Sequence, residues 1–102
     1  MVAVNPVVFV SGPMRGRELK NLPAFQNAED DLFGYGIEGL IPHNLALDNP
    51  GFHEAVRRDL NAVVESDGIY MLEGWQHSEG AKIEHSLAIM LGKPILYEGD
   101  LP

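Results

Sequence analysis

Short apolar runs alternate along this chain with segments of helical length, and that alternation restricts the fold more than any other feature. Residues 7–11 (VVFVS) are continuous and mostly β-branched, as suits a strand covered on both faces. Residues 37–41, 68–72 and 94–97 read as three further strands. Between them, residues 23–34 open with Pro23, which a first helical turn tolerates, and stop at Gly34 and Gly36. Residues 52–66 place Phe52, Val56, Leu60, Val63 and Val64 on one stripe. Residues 79–91 do the same with Ile83, Leu87, Met90 and Leu91, up to Gly92. The order β-α-β-α-β-α-β with short connections specifies a single α/β domain over residues 1–102. Its expected form is three-layer and flavodoxin/Rossmann-like, a small parallel sheet with helices on both faces.

In such sheets ligands sit beyond the carboxyl ends of the strands, where strand order reverses. Three connections lie at that edge: residues 12–22, 43–51 and 73–78. Charge limits what could bind there. The 102 residues carry a formal net charge of −8, which repels nucleic acid polymers and anionic membranes. A small phosphate ligand needs only converging N–H groups and one or two cations, so it stays open. The chain has no cysteine, no apolar run of the roughly 18 residues a membrane span needs, and no basic stretch at residues 1–6 to suggest a secretory leader. A cytoplasmic setting is the expectation.

Chemistry-bearing residues gather at that edge. Ser11, Gly12, Pro13, Met14, Arg15 and Gly16 follow the first strand. Glycines there let backbone N–H groups converge on an anion, and Arg15 supplies a fork of donors; a plain tight turn is the alternative. Ser78 stands at the start of the third helix, with Gly80 behind it, where a hydroxyl caps the helix and can also face a phosphate. Glu84 is expected at the edge of the apolar stripe of that helix, with Lys82, His85 and Ser86 turned away. Asp59 holds the same edge position on the second helix, with Arg58 and Asn61 turned outward. Two carboxylates about one bond are the equipment for glycosidic cleavage, unless both are boundary acids reaching water. Asp67 competes as an acid but suits a turn cap. His43 borders the expected cleft and could bond a ligand; Trp75 is of a type more often found in a core or cleft wall, though in a cleft loop it could stack on a nucleobase. The four histidines show no metal-binding spacing, so no metal is expected.

The combined pattern Ser11-Gly12-Pro13-Met14-Arg15-Gly16, Asn21-Leu22-Pro23-Ala24-Phe25, Arg57-Arg58-Asp59-Leu60, Gly74-Trp75 and Ser78-x-Gly80-Ala81-x-x-Glu84-His85-x-Leu87-Ala88 resembles a short phage and bacterial family. That family belongs to the nucleoside 2-deoxyribosyltransferase-like superfamily, and the likeness runs from Val7 to Tyr97. It implies that Glu84 attacks C1′ of a nucleotide and that Asp59, eight residues before Asp67, assists the base. It also implies that Gly12, Arg15, Gly16, Ser78 and Gly80 hold a 5′-phosphate. The implied activity is an N-glycosidase acting on a deoxynucleoside 5′-monophosphate, with no metal or organic cofactor. A deoxyribosyltransferase and a silent nucleotide-binding module are the alternatives. A homodimer or higher homo-oligomer is implied as well. The nucleotide-hydrolysing relatives continue past the last strand and take a further phosphate contact from a neighbouring subunit, so a shorter clamp is expected here.

Overall fold

The computed structural model describes residues 5–45 and 51–101. Four strands, β1 (Val7–Ser11), β2 (Glu38–Leu40), β3 (Gly68–Met71) and β4 (Ile95–Tyr97), pair in parallel in the order β2-β1-β3-β4. Three helices connect them: α1 (Leu22–Gly34), α2 (Phe52–Glu65) and α3 (Glu79–Met90). Every expected strand and helix forms, with ends shifted by a residue or two. Of the three connections expected at the ligand edge, residues 46–50 of the second lie outside the described residues. No helix among the described residues is long and apolar enough to cross a membrane.

Alternation along β1 sorts its side chains between two cores. Val8 and Val10 pack with Phe25, Ala28 and Leu32 of α1 and with Tyr70 and Leu72. Phe9 turns the other way, joining Ile69 and Met71 with Ala62 and Val63 of α2 and Ala81 and Ala88 of α3. The result is three layers, with α1 on one face of the sheet and α2 and α3 on the other. Burying these side chains is the main stabilising term, at roughly 25 cal/mol per Å² of apolar surface. Asp67 acts as a brace, its Oδ2 accepting the Val7 N–H at 2.8 Å.

Both helical stripes need correction. On α3 the buried residues are Ala81, Glu84 and Ala88, while Ile83, Met90 and Leu91 are exposed. On α2 Phe52 and Val64 are likewise exposed, and Ala62 and Val63 are buried. The physical reason is close approach. Small side chains at Ala81 and Ala88 let α3 lie down on the flat apolar surface of Phe9, Ile69 and Met71. Glu84, midway between them, therefore sits at the centre of the buried face and not at its edge.

The connections are more ordered than loops read from sequence. Short 3-10 turns occupy Glu18–Asn21, Pro42–Asn44 and Trp75–His77. Leu19, Lys20 and Asn21 take φ values of 53°, 53° and 63°, a left-handed run that L-residues adopt at a cost. Gly12 is a steric requirement, since a Cβ there would stand 2.7 Å from Leu72 Cβ.

Candidate active site

β1 and β3 lie side by side, and the chain leaves them toward opposite edges of the sheet. A crevice opens beyond their carboxyl ends, as parallel topology requires. The same alternation that turns Phe9 toward α3 turns Ser11 that way too. Ser11 Oγ donates to Glu84 Oε1 at 2.6 Å, and the bond spans 73 residues of sequence. Ser11 is 1% exposed and Glu84 9%. A carboxylate so removed from water is costly to ionise. Burial pushes the Glu84 carboxyl up to about 7, a shift that the Asp59 charge reinforces and that the Ser11 hydroxyl and Arg58 charge oppose.

Asp59 reaches the same space from α2. Its Oδ1 accepts from Arg58 Nε at 2.8 Å, and Arg58 Nη1 donates to the Leu45 carbonyl at 3.1 Å. Burial raises the Asp59 carboxyl above its ordinary range, while Arg58 and, more weakly, His43 hold it down. Arg58, expected to turn outward, is thus the residue that steadies Asp59. The two acids and Ser11 line one cleft of about 540 Å³, together with Gly12, Met14, Arg15, Ser78 and Gly80. Ser78 caps α3, its Oγ accepting the Ala81 N–H at 3.2 Å; it does so while lining the cleft. A second lobe of about 490 Å³ adjoins the first and shares Met14, Arg15, Phe52, Asp59, Gly80 and Glu84 with it. Gly16 lines only this second lobe.

The motifs that make up this cleft are also those that place the chain among known proteins. A family model described as "Domain of unknown function (DUF4406)" matches residues 6–97. The chain belongs to that family. The fold of this DUF4406 protein is that of a solved structure described as 2-desoxiribosyltransferase from Leishmania mexicana, with a TM-score of 0.72 and 20% sequence identity. The match covers 90% of the DUF4406 chain and 63% of the other, so less than two thirds of that protein's length has a counterpart here. No curated protein matches the sequence significantly.

Two residues expected to touch a ligand lie elsewhere in the DUF4406 protein. Trp75 is outside both lobes. It stacks on His85 with ring centroids 4.2 Å apart, and His85 Nε2 lies 2.8 Å from the Tyr97 hydroxyl. The flat indole is used to cover α3 and β4, and His85, expected on the open surface, is half-buried beneath it. His43 stands behind the cleft wall, edge-on to Phe25 at 4.7 Å. Its Nε2 is 3.0 Å from the Lys20 carbonyl, which can only accept, so that nitrogen carries the proton. Among the described residues, no cluster of three or more His, Asp or Glu side chains could hold a metal ion.

Sequence reasoning assigned Ser11 to a phosphate loop and missed its bond to Glu84. The period of two along β1 is the signal that could have found it: Phe9 and Ser11 share a face. Arg58 had no comparable signal, because a helical stripe does not reveal which of two adjacent arginines folds back.

Proposed function

We propose that the protein cleaves the N-glycosidic bond of a deoxynucleoside 5′-monophosphate, with Glu84 as nucleophile. The observation that carries this reading is the buried Glu84 carboxylate, held by Ser11 at 2.6 Å in a cleft that Asp59 also lines. A Glu84 oxygen would form a bond to C1′ as the C1′–N bond breaks. The electron pair leaves with the base, which takes a proton from Asp59. Water then attacks the glycosyl ester, returns a proton to Asp59 and frees the sugar phosphate and Glu84. Burial raises both carboxyls, so Asp59 can hold the proton that it donates, while Glu84 must be ionised to attack. A second base in place of water makes the same intermediate serve a transferase.

The phosphate is assigned to Arg15, Ser78, Gly12 and Gly80, where Arg15 offers paired donors and α3 its N-terminus. Anchoring it there holds C1′ against the carboxylate, the kind of remote binding that lowers a barrier. The homo-oligomer that the motif resemblance implies belongs to the same proposal. Sedimentation of the wild type against Met90→Glu tests it, because Met90 is 85% exposed on α3.

The deciding experiment incubates the protein with each deoxynucleoside and its monophosphate. Free base and a glycosyl adduct on Glu84, detected by mass spectrometry, are expected with monophosphates. Base release that continues unchanged in Glu84→Ala overturns the mechanism. Tight nucleotide binding with no release from the wild type identifies a binding module.

A further inference from the structure

The chain has seven Lys and Arg residues against fifteen Asp and Glu. Four of those seven, Arg15, Arg17, Lys20 and Arg58, line the second lobe of the cleft. Arg58 is engaged with Asp59 and Leu45. The side chains of the other three make no hydrogen bond or ion pair among the described residues; Arg15 lies with its guanidinium 5.2 Å from the centre of the Phe52 ring. Like charges gathered around one opening repel each other, and the fold draws no internal bond from these three. Lys20 in addition sits in the left-handed run, which Asn21 Nδ2 pins to the Pro13 carbonyl at 3.0 Å and His43 pins at Lys20 itself. Strain that the surroundings enforce in this way gathers at binding sites.

The two lobes have different equipment. Ser78 and Gly12 line only the first, while Arg17, Lys20 and Arg58 line only the second. Glu84 lines both. The second lobe is also lined by the apolar side chains of Phe52, Val56, Leu60 and Ile83. If the phosphate is at Ser78 with Arg15 and C1′ at Glu84, Arg17 and Lys20, which line only the second lobe, are left for whatever lies beyond the sugar. We propose that the ligand is a nucleotide carrying a second anionic group, held by Arg17 and Lys20 at the end away from its 5′-phosphate. The proposal rests on the nucleotide reading above. The second group is a carboxylate on the base or a phosphate on the 3′ oxygen, both of which present the same oxygens to a cation.

The test is calorimetric, on the intact chain carrying Glu84→Gln so that nothing is consumed. The probes are deoxyuridine 5′-monophosphate, its 5-carboxyl derivative and deoxyuridine 3′,5′-bisphosphate. At least one doubly anionic probe binds about tenfold or more tightly than the monophosphate, as one charge-assisted contact gives. That gain disappears in Arg17→Gln/Lys20→Asn, while affinity for the monophosphate changes by less than about twofold. The probe that gains identifies the source of the charge. Equal affinity for all three, or a gain that survives the double substitution, overturns the inference and leaves the nucleotide reading standing. Binding of none overturns both.

Discussion

A buried carboxylate that titrates near neutrality makes the stability of the whole fold depend on pH, and Glu84→Gln isolates that dependence. The folded Glu84 carboxyl is raised from its ordinary 4.5 to about 7. Between those values the folded chain holds a proton that the unfolded chain has released. The stabilisation is therefore complete below about pH 4.5 and is lost as pH rises through about 7. At about 1.4 kcal/mol per pH unit the gap corresponds to about 3 kcal/mol. Glutamine keeps the shape and can still accept from Ser11, but carries no charge. Urea denaturation of both proteins at several pH values gives the comparison, since titrations not coupled to Glu84 cancel between them and only Asp59, which shares the cleft, changes with it. The variant and wild type have similar stability at pH 5, and by pH 8 the variant is more stable by roughly 2–3 kcal/mol. A difference that stays flat across that range refutes the claim that burial controls Glu84.

Three further outcomes follow from the same contacts. Ser11→Ala removes the donor that holds Glu84 down, so the Glu84 titration, followed by carboxyl carbon NMR, moves to higher pH by about one unit or more. Arg58→Met leaves Asp59 buried without its partner, raising the Asp59 carboxyl further and costing about 3 kcal/mol in urea denaturation at neutral pH, less where Asp59 is protonated. Gly12→Ala forces a methyl into Leu72 and lowers stability by about 1–3 kcal/mol, read from the shift in the thermal midpoint.

The strands and helices were legible because β-branched runs, Pro23, Gly34 and Gly92 punctuate the chain plainly. Glu84 and Asp59 were legible as a pair because each stands close to apolar residues on a neighbouring crossover helix. The centre of the buried face of α3 was not. Apolar periodicity weights long side chains, so Ile83 and Met90 outvoted Ala81 and Ala88, whose value lies in being small. The positions of His43 and Trp75 were left open by the sequence for a related reason. An aromatic ring near a cleft can face the opening or support its wall, and only packing decides between the two. The left-handed turn carried little signal, because of its three residues only Asn21 is of a type that adopts that conformation readily.

That turn also has a consequence for the order in which the molecule assembles. Leu19 and Lys20 each forgo roughly 1–2 kcal/mol relative to right-handed backbone, so the segment has little tendency to form by itself. It exists only once β1, α1 and the Pro42–Asn44 turn are in place to supply the bonds from Asn21 and His43. The stretch accordingly depends on its neighbours for its backbone conformation. Because Lys20 belongs to it and Arg17 stands just before it, a molecule that grips them also holds that backbone in place. Amide exchange at Leu19 and Lys20 thus reports occupancy directly, without any need to observe chemistry.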